Sequence, residues 1–465
     1  MKKLMILAIL ATLVLAMAGT ASAVDLEAKG KFQFQANFMD NSDFLSAKNN
    51  GVQEDDLNFY FRARTQFRFI ANENLMSELY VEYKTRIGTA SDSSLVDSSS
   101  DRTLGIKRVF LQYRFPETEV LTTAGIFSIN LPGAAAGSMV MGDLDAGALT
   151  ISTPITDVIA ASVGFIRAYD ATSDDSGGVY STTGSNSKDE LDLFYGAVPV
   201  TIDGLEATPY FMYGLIGKDT YTAVSGRAGL TAPSAATFTK SVNSWWAGTS
   251  FGMTMFDPIV LKADFAYGDL DADQKQNDRS GWGADLSLAY TGMDFMQPKF
   301  VFAYTSGEDD KTSNGSERLP VINNDFAFGT YYYGGSALTS ADLNSNQQVG
   351  QMVLGLSFED ISFLDKLTHD FHFLYIKGTN DKDLIQNNTG LTNISADGNF
   401  LTTKDQAFEI DFNTNYQIYD ELAAIIEFGY IGMDLDKDTW SAYDTTRDGK
   451  EDPALKLAVG LVYEF

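Results

Sequence analysis

The sequence predicts an all-β fold: a transmembrane antiparallel β-barrel of about eighteen strands, with sixteen as the alternative count. Three observations predict it. Apolar and polar residues alternate with a period of two in segment after segment from Leu26 to Phe465. Short turns and long polar loops follow one another in strict succession. Beyond an N-terminal leader there is no convincing helical span, so a chain bound for a membrane must close as a barrel to satisfy its backbone in lipid.

Residues 1–23 begin with Lys2 and Lys3, run through LMILAILATLVLAMAG and reach ASA at Ala21–Ala23. A basic start, an apolar stretch and small residues at the end predict a cleaved secretory signal peptide. Residues 24–465 then form a single domain, the barrel. Loss of two lysines moves the formal charge from -29 to -31, which argues against a nucleic-acid partner. There is no cysteine, so no disulfide framework or thiolate metal site is expected. The two histidines, His369 and His372, are three apart on a predicted strand and so face opposite sides.

The first mature strand, KFQFQANF, sets Phe32, Phe34, Ala36 and Phe38 against Lys31, Gln33, Gln35 and Asn37. The second, LNFYFRARTQFRFI, places Leu57, Phe59, Phe61, Phe67 and Phe69 on one face and Tyr60, Arg62, Arg64, Gln66 and Arg68 on the other. In lipid each arginine would cost about 2 to 4 kcal/mol at the midplane, so the arginines must face the lumen. The next hairpin adds Lys84 and Arg86 beside Glu78 and Glu82, and KRVFLQYRF adds Arg108 and Arg114 opposite Val109, Leu111, Tyr113 and Phe115. Arg62, Arg64, Arg68, Lys84, Arg86, Arg108 and Arg114 are thus predicted to form a basic ladder on one sector of the wall. The competing reading is that wall carboxylates pair with them and leave a merely solvated lumen.

Val120 to Gly142 carries no charge but holds Pro132 and four glycines, which exclude a membrane helix. The strands around 147–153 and 189–199 are the weakest, the latter interrupted by Pro199. Later strands alternate clearly: IVLKADFAY opposes Phe265 and Tyr267 to Lys262 and Asp264, and AFEIDFNTNYQI opposes Phe408, Ile410 and Phe412 to Glu409, Asp411 and Asn413. Short turns are placed at 71–74, 116–119, 153–157, 200–204, 256–258, 291–297, 359–366 and 418–421. Long loops are placed near 40–54, 88–101, 129–146, 170–188, 218–240, 270–279, 307–346, 378–403 and 435–453. Outer-membrane barrels keep short periplasmic turns at one end and long external loops at the other.

The last strand, LKLAVGLVYEF, alternates Leu455, Leu457, Val459, Leu461, Tyr463 and Phe465 on one face. Gly460, Tyr463 and Phe465 resemble the terminal signal by which the barrel-assembly machinery recognises outer-membrane proteins; the polar residue usual at its start is Ala458 here. With the leader and the barrel rhythm, the mature chain resembles a Gram-negative outer-membrane porin, most closely the homotrimeric porins of sulfate-reducing bacteria. The resemblance implies a loop at about 129–146 folded into the barrel, with Pro132 and Gly133 shaping it. It also implies that Asp143 and Asp145 stand opposite the basic wall.

The expected function is passive diffusion of small hydrophilic solutes through a constriction lined by Arg62, Arg64, Arg68, Arg86, Arg108 and Arg114. If the resemblance holds, small anions such as sulfate and organic acids are the cargo. A saccharide-type channel is the alternative, although Tyr60 and Tyr80 alone do not make a sugar slide. A barrel enzyme or a structural or adhesive barrel is less favoured, because neither histidine has a local serine motif. The remaining aromatic residues suit interfacial girdles. Expected partners are outer-membrane lipid, lipopolysaccharide, the assembly machinery and two further copies in a homotrimer. No cofactor is expected: the acidic loops DLDAD (269–273) and DLDKD (434–438) lack the EF-hand glycine and glutamate, and would hold Ca2+ only loosely.

Overall fold

The computed structural model describes residues 24–44, 55–87, 104–170, 190–218, 228–230, 238–339, 343, 349–388, 391, 400–443 and 451–465. The leader, residues 1–23, the loop at 88–101 and nearly all of that at 170–188 lie outside them.

Alternating sequence becomes strand throughout. In order these are β1 (Asp25–Asp40), β2 (Asp55–Asn72), β3 (Leu75–Ile87), β4 (Gly105–Arg114), β5 (Leu121–Ile129), β6 (Leu144–Pro154), β7 (Ala160–Tyr169), β8 (Leu191–Ala197 and Val200–Ile202) and β9 (Leu205–Ile216). There follow β10 (Val242–Phe256), β11 (Ile259–Asp271), β12 (Arg279–Tyr290), β13 (Gln297–Thr305), β14 (Gln351–Leu364), β15 (Leu367–Gly378), β16 (Gln406–Tyr419), β17 (Leu422–Asp434) and β18 (Ala454–Glu464). Both pieces of β8 pair with β9, so the sheet's nineteen segments make an eighteen-stranded wall. The break falls at Val198–Pro199, where proline has no N–H for the ladder. Every strand is antiparallel to its neighbours, and β1 pairs with β18 from Lys31↔Glu464 to Asp40↔Leu455, which closes the barrel.

The short turns sit where the alternation stops, with two differences. Residues 200–202 continue β8, and β14 runs on to Leu364, leaving Asp365–Lys366 as the turn. Register shifts after Phe358 and a positive φ at Asp360 let that strand absorb residues which read as loop.

The pairing fixes the faces. Phe34, Phe59, Phe69, Leu111, Phe211, Phe265, Phe300, Phe412 and Leu461 are exposed on the outside. Aromatic pairs gather at both ends of this apolar band. Trp245–Tyr267 (5.2 Å) and Trp282–Tyr304 (4.9 Å) lie toward the long loops, and the Phe32, Tyr463 and Phe465 stack lies at the short-turn end. No helix among the described residues is long and apolar enough to cross a membrane, which does not bear on strands.

The lumen face departs from the simple polar reading. Toward the long loops Ile166, Leu191, Leu193, Met212, Ile216, Val242 and Trp246 are buried apolar residues on the inward side. Loop residues Leu319, Val321 and Ile322 pack with them, and Trp246 donates to the Pro320 carbonyl at 2.9 Å. The barrel therefore has a hydrophobic core inside part of its bore, supplied by an inserted loop.

Candidate functional site

The basic sector is built by register. Cross-strand pairs Tyr60↔Arg86, Arg62↔Lys84, Arg64↔Glu82, Gln66↔Tyr80 and Arg68↔Glu78 put these residues of β2 and β3 on one inward face. Arg108 of β4 joins opposite Tyr80, its guanidinium 5.5 Å from the ring centre. A register shift between Tyr80 and Val81 leaves Lys107 unpaired opposite β3, beside Arg108.

Wall carboxylates orient the ladder. Arg62 Nε (2.8 Å) and Arg64 Nε (2.5 Å) both donate to Glu82 Oε2, and Arg68 Nε donates to Glu78 at 3.1 Å. Lys84 and Arg86 are exposed. Glu82 thus serves two arginines. Pairing fixes the directions of the Arg62, Arg64 and Arg68 guanidinium groups. Arg114 stands apart: it pairs with Glu119 at the short-turn end of β4, away from the inserted loops. Counting by face placed it in the ladder, but height removes it from the constriction.

The third long loop, 130–143, crosses the bore. Its neck is tied by Leu131 N–H to the Met141 carbonyl (2.8 Å). On the far wall Ala134 and Ala135 N–H groups donate to the Asp264 carboxylate of β11 at 2.7 to 2.9 Å. Pro132 and Gly133 stand between the neck and these amides, and a Cβ at Gly133 would lie 2.3 Å from the Gly137 carbonyl carbon, so only glycine fits that fold-back.

Asp143 and Asp145 are not opposite the basic wall. They enter β6 beside it: Arg108 donates to Asp145 (2.6 Å) and Asp143 (3.0 Å), and Lys107 also pairs with Asp145. Residues 131–141 make the crossing, and the chain has already returned to the near wall at Asp143.

The seventh long loop, described over 306–339, is the larger insertion and was missed as one by sequence reasoning. Carboxylates on the inward faces of β16 and β17 hold it. Glu409 accepts the N–H groups of Tyr331, Tyr332 and Tyr333, Asp411 accepts that of Thr330 (2.7 Å), and Glu427 accepts from Ser336 and Ala337. Lys456 of β18, buried, pairs with Glu427 at 2.8 Å. Thr339 then reaches the ladder, accepting from Arg62 Nη1 at 3.2 Å. The two loops meet: Ile322 N–H donates to the Val140 carbonyl (2.9 Å) and Gly142 N–H to Asn323 (2.6 Å). A signal was present in the sequence, since GTYYYGG is too aromatic for a solvated loop and the wall strands opposite it are rich in acids.

Beneath this partition lies a cavity of about 470 Å³ lined by Lys299, Glu359, Asp370, His372, Asn413 and Phe328 among others. His372 faces the lumen and bonds Ser357 at 2.9 Å, whereas His369 faces outward and stacks on Phe412. On the wall away from the ladder, Asp264, Asp285, Glu409, Asp411 and Glu427 are buried against the inserted loops, whereas Glu359 and Asp370 of β14 and β15 border the cavity.

Asp436 caps a short helix, α1 being Lys382–Asn387 and α2 Lys437–Tyr443, by accepting from Thr439 N–H (3.0 Å). Asp269, Asp271, Asp278 and Glu317 line a shallow cleft in which burial, aided by Asp271 and Asp269, holds the Asp278 carboxyl above the usual range. Among the described residues no group of three or more His, Asp or Glu side chains is placed to hold a metal ion.

No family model matches the chain, and no curated protein matches its sequence. Among solved structures it is similar to Pseudomonas aeruginosa OccK8 (OprE), with TM-score 0.53 and 11% identity over 95% of this chain and 98% of that one. It is also similar to P. aeruginosa OpdL (TM-score 0.52, 12% identity, 95% and 98% covered). A third is the outer membrane protein OprD from the same organism (TM-score 0.52, 11% identity, 96% and 95% covered). The likeness is one of fold along nearly the whole length of each chain.

Proposed function

We propose that this protein is a passive outer-membrane channel of a Gram-negative cell, admitting small hydrophilic solutes and favouring small anions such as sulfate and organic acids. The observation that carries the reading is the basic sector of β2–β4. Its cations face the bore, keep their directions through Glu78 and Glu82, and stand beside the two loops that narrow the passage. Cations on one side and the cavity-lining acids Glu359 and Asp370 on the other would set a field across the bore, which orients dipolar solutes and disfavours apolar ones.

The long loops would then face outward toward lipopolysaccharide, with both chain ends in the periplasm, delivery by the barrel-assembly machinery after removal of residues 1–23, and assembly as a homotrimer. These rest on the leader, the terminal Gly460, Tyr463 and Phe465, and the resemblance to porins. Purified protein added to planar bilayers should give discrete ohmic steps, with reversal potentials in a salt gradient displaced toward anions. A barrel that inserts but does not conduct would show a plugged lumen and overturn the reading.

A further inference from the structure

Asp264 and Asp285 are cross-strand partners on β11 and β12, both on the inward face, where Cβ atoms lie about 4.5 to 5.5 Å apart. They are 6% and 3% exposed. The two carboxyl groups face each other. Asp264 is engaged by Ala134 and Ala135 of the third loop, and Asp285 has no partner other than the Asp264 carboxyl itself. Lys262, two residues along the same face, is exposed. Two buried carboxylates without a countercharge are costly, and each oxygen keeps lone pairs for a further partner.

We propose that Asp264 and Asp285 bind one divalent cation of the calcium class, which ties the third loop to the wall. Hard carboxylate oxygens and a charge of two suit such an ion, and its tolerance of irregular coordination suits a pair completed by main-chain oxygen and water. Asp264 links the ion to the loop through the amides it accepts. The site is distinct from the ladder, and it stands whether or not the barrel conducts.

Terbium is the probe, because Tyr210 lies near Asp264 and Tyr333 near Asp285, within range to sensitise its emission. Titrating detergent-purified protein should give saturable luminescence that Ca2+ displaces, and Asp285→Asn should reduce it about tenfold while the barrel keeps its heat-modifiable gel mobility. The variant Asp271→Asn/Asp278→Asn, in the outer cleft, should leave it unchanged. Loss of signal in that outer variant, or equal signal in wild type and Asp285→Asn, would overturn the proposal. Should Asp285→Asn fail to fold, infrared spectra of the wild type decide: a protonated-carboxyl band at neutral pH insensitive to Ca2+ would mean that the pair shares a proton and binds no ion, whereas a Ca2+-dependent change in the carboxylate bands would support the site.

Discussion

Glu82 accepts from Arg62 and Arg64 together, so the proposed selectivity of this wall would depend on one carboxylate as much as on the cations around it. A unit charge about 5 Å from a permeating ion in a water-like medium contributes roughly 0.8 kcal/mol, about fourfold in a permeability ratio. Replacing Arg62, Arg64 and Arg68 by serine should therefore lower the anion-to-cation ratio at least fourfold, because Glu78 and Glu82 are then unopposed. Asp143→Asn with Asp145→Asn should move the ratio the other way by releasing Arg108. Reversal potentials across a salt gradient report both. An unchanged ratio in the arginine variant would place the selective ring elsewhere. Outer carboxylates matter less, since their fields are screened over about 8 Å at physiological salt.

At the scale of elements, two attachments decide the shape of the bore and the closure of the wall. Glu409 collects three consecutive backbone N–H groups of the seventh loop. Substituting alanine leaves those buried donors unpaired, at about 1 to 3 kcal/mol each. Glu409→Ala should release the loop, raising single-channel conductance and increasing open-channel noise several-fold while the barrel still folds. Phe465 closes the seam: it exchanges backbone hydrogen bonds with Gly30 (2.9 and 3.0 Å) and stacks 5.8 Å from Phe32. Gly30 admits the ring, as a Cβ there would fall 2.4 Å from Phe465 Cε1. Deleting Phe465 should thus lower the thermal midpoint in detergent modestly, by loss of that last pair, and reduce delivery in cells much more. Normal levels in the outer membrane would rule out its proposed part in the assembly signal.

At the scale of the whole molecule, all long connections leave one end of the barrel and all short turns the other. An epitope tag inserted at 117, in the turn after β4, should be detected by antibody only after the outer membrane is permeabilised. A tag at 176, in the long loop between β7 and β8, should be detected on intact cells. The opposite pattern would invert the proposed orientation. Closure through β1 and β18 also means that no strand edge is left unpaired, so the folded barrel should migrate as a compact, heat-modifiable species.

The sequence alone was enough for the antiparallel barrel and its outward apolar face, and it narrowed the strand number to eighteen with sixteen as the alternative, because a period of two is a local property and the cost of charge in lipid leaves one direction open. It also marked Pro199 as an interruption, for the same local reason. Height and long-range contact were beyond it. Alternation does not say that Arg114 stands at the short-turn end, that Asp143 and Asp145 return to the near wall, or that Lys107 joins Arg108 at a register shift. Nor does it say that 306–339 enters the bore and turns polar-facing strands into anchors through Glu409, Asp411 and Glu427. Those facts depend on which residues, far apart in the chain, meet across a closed barrel, and only the pairing of all eighteen strands brings Asp264 beneath Ala134 or Thr339 beside Arg62.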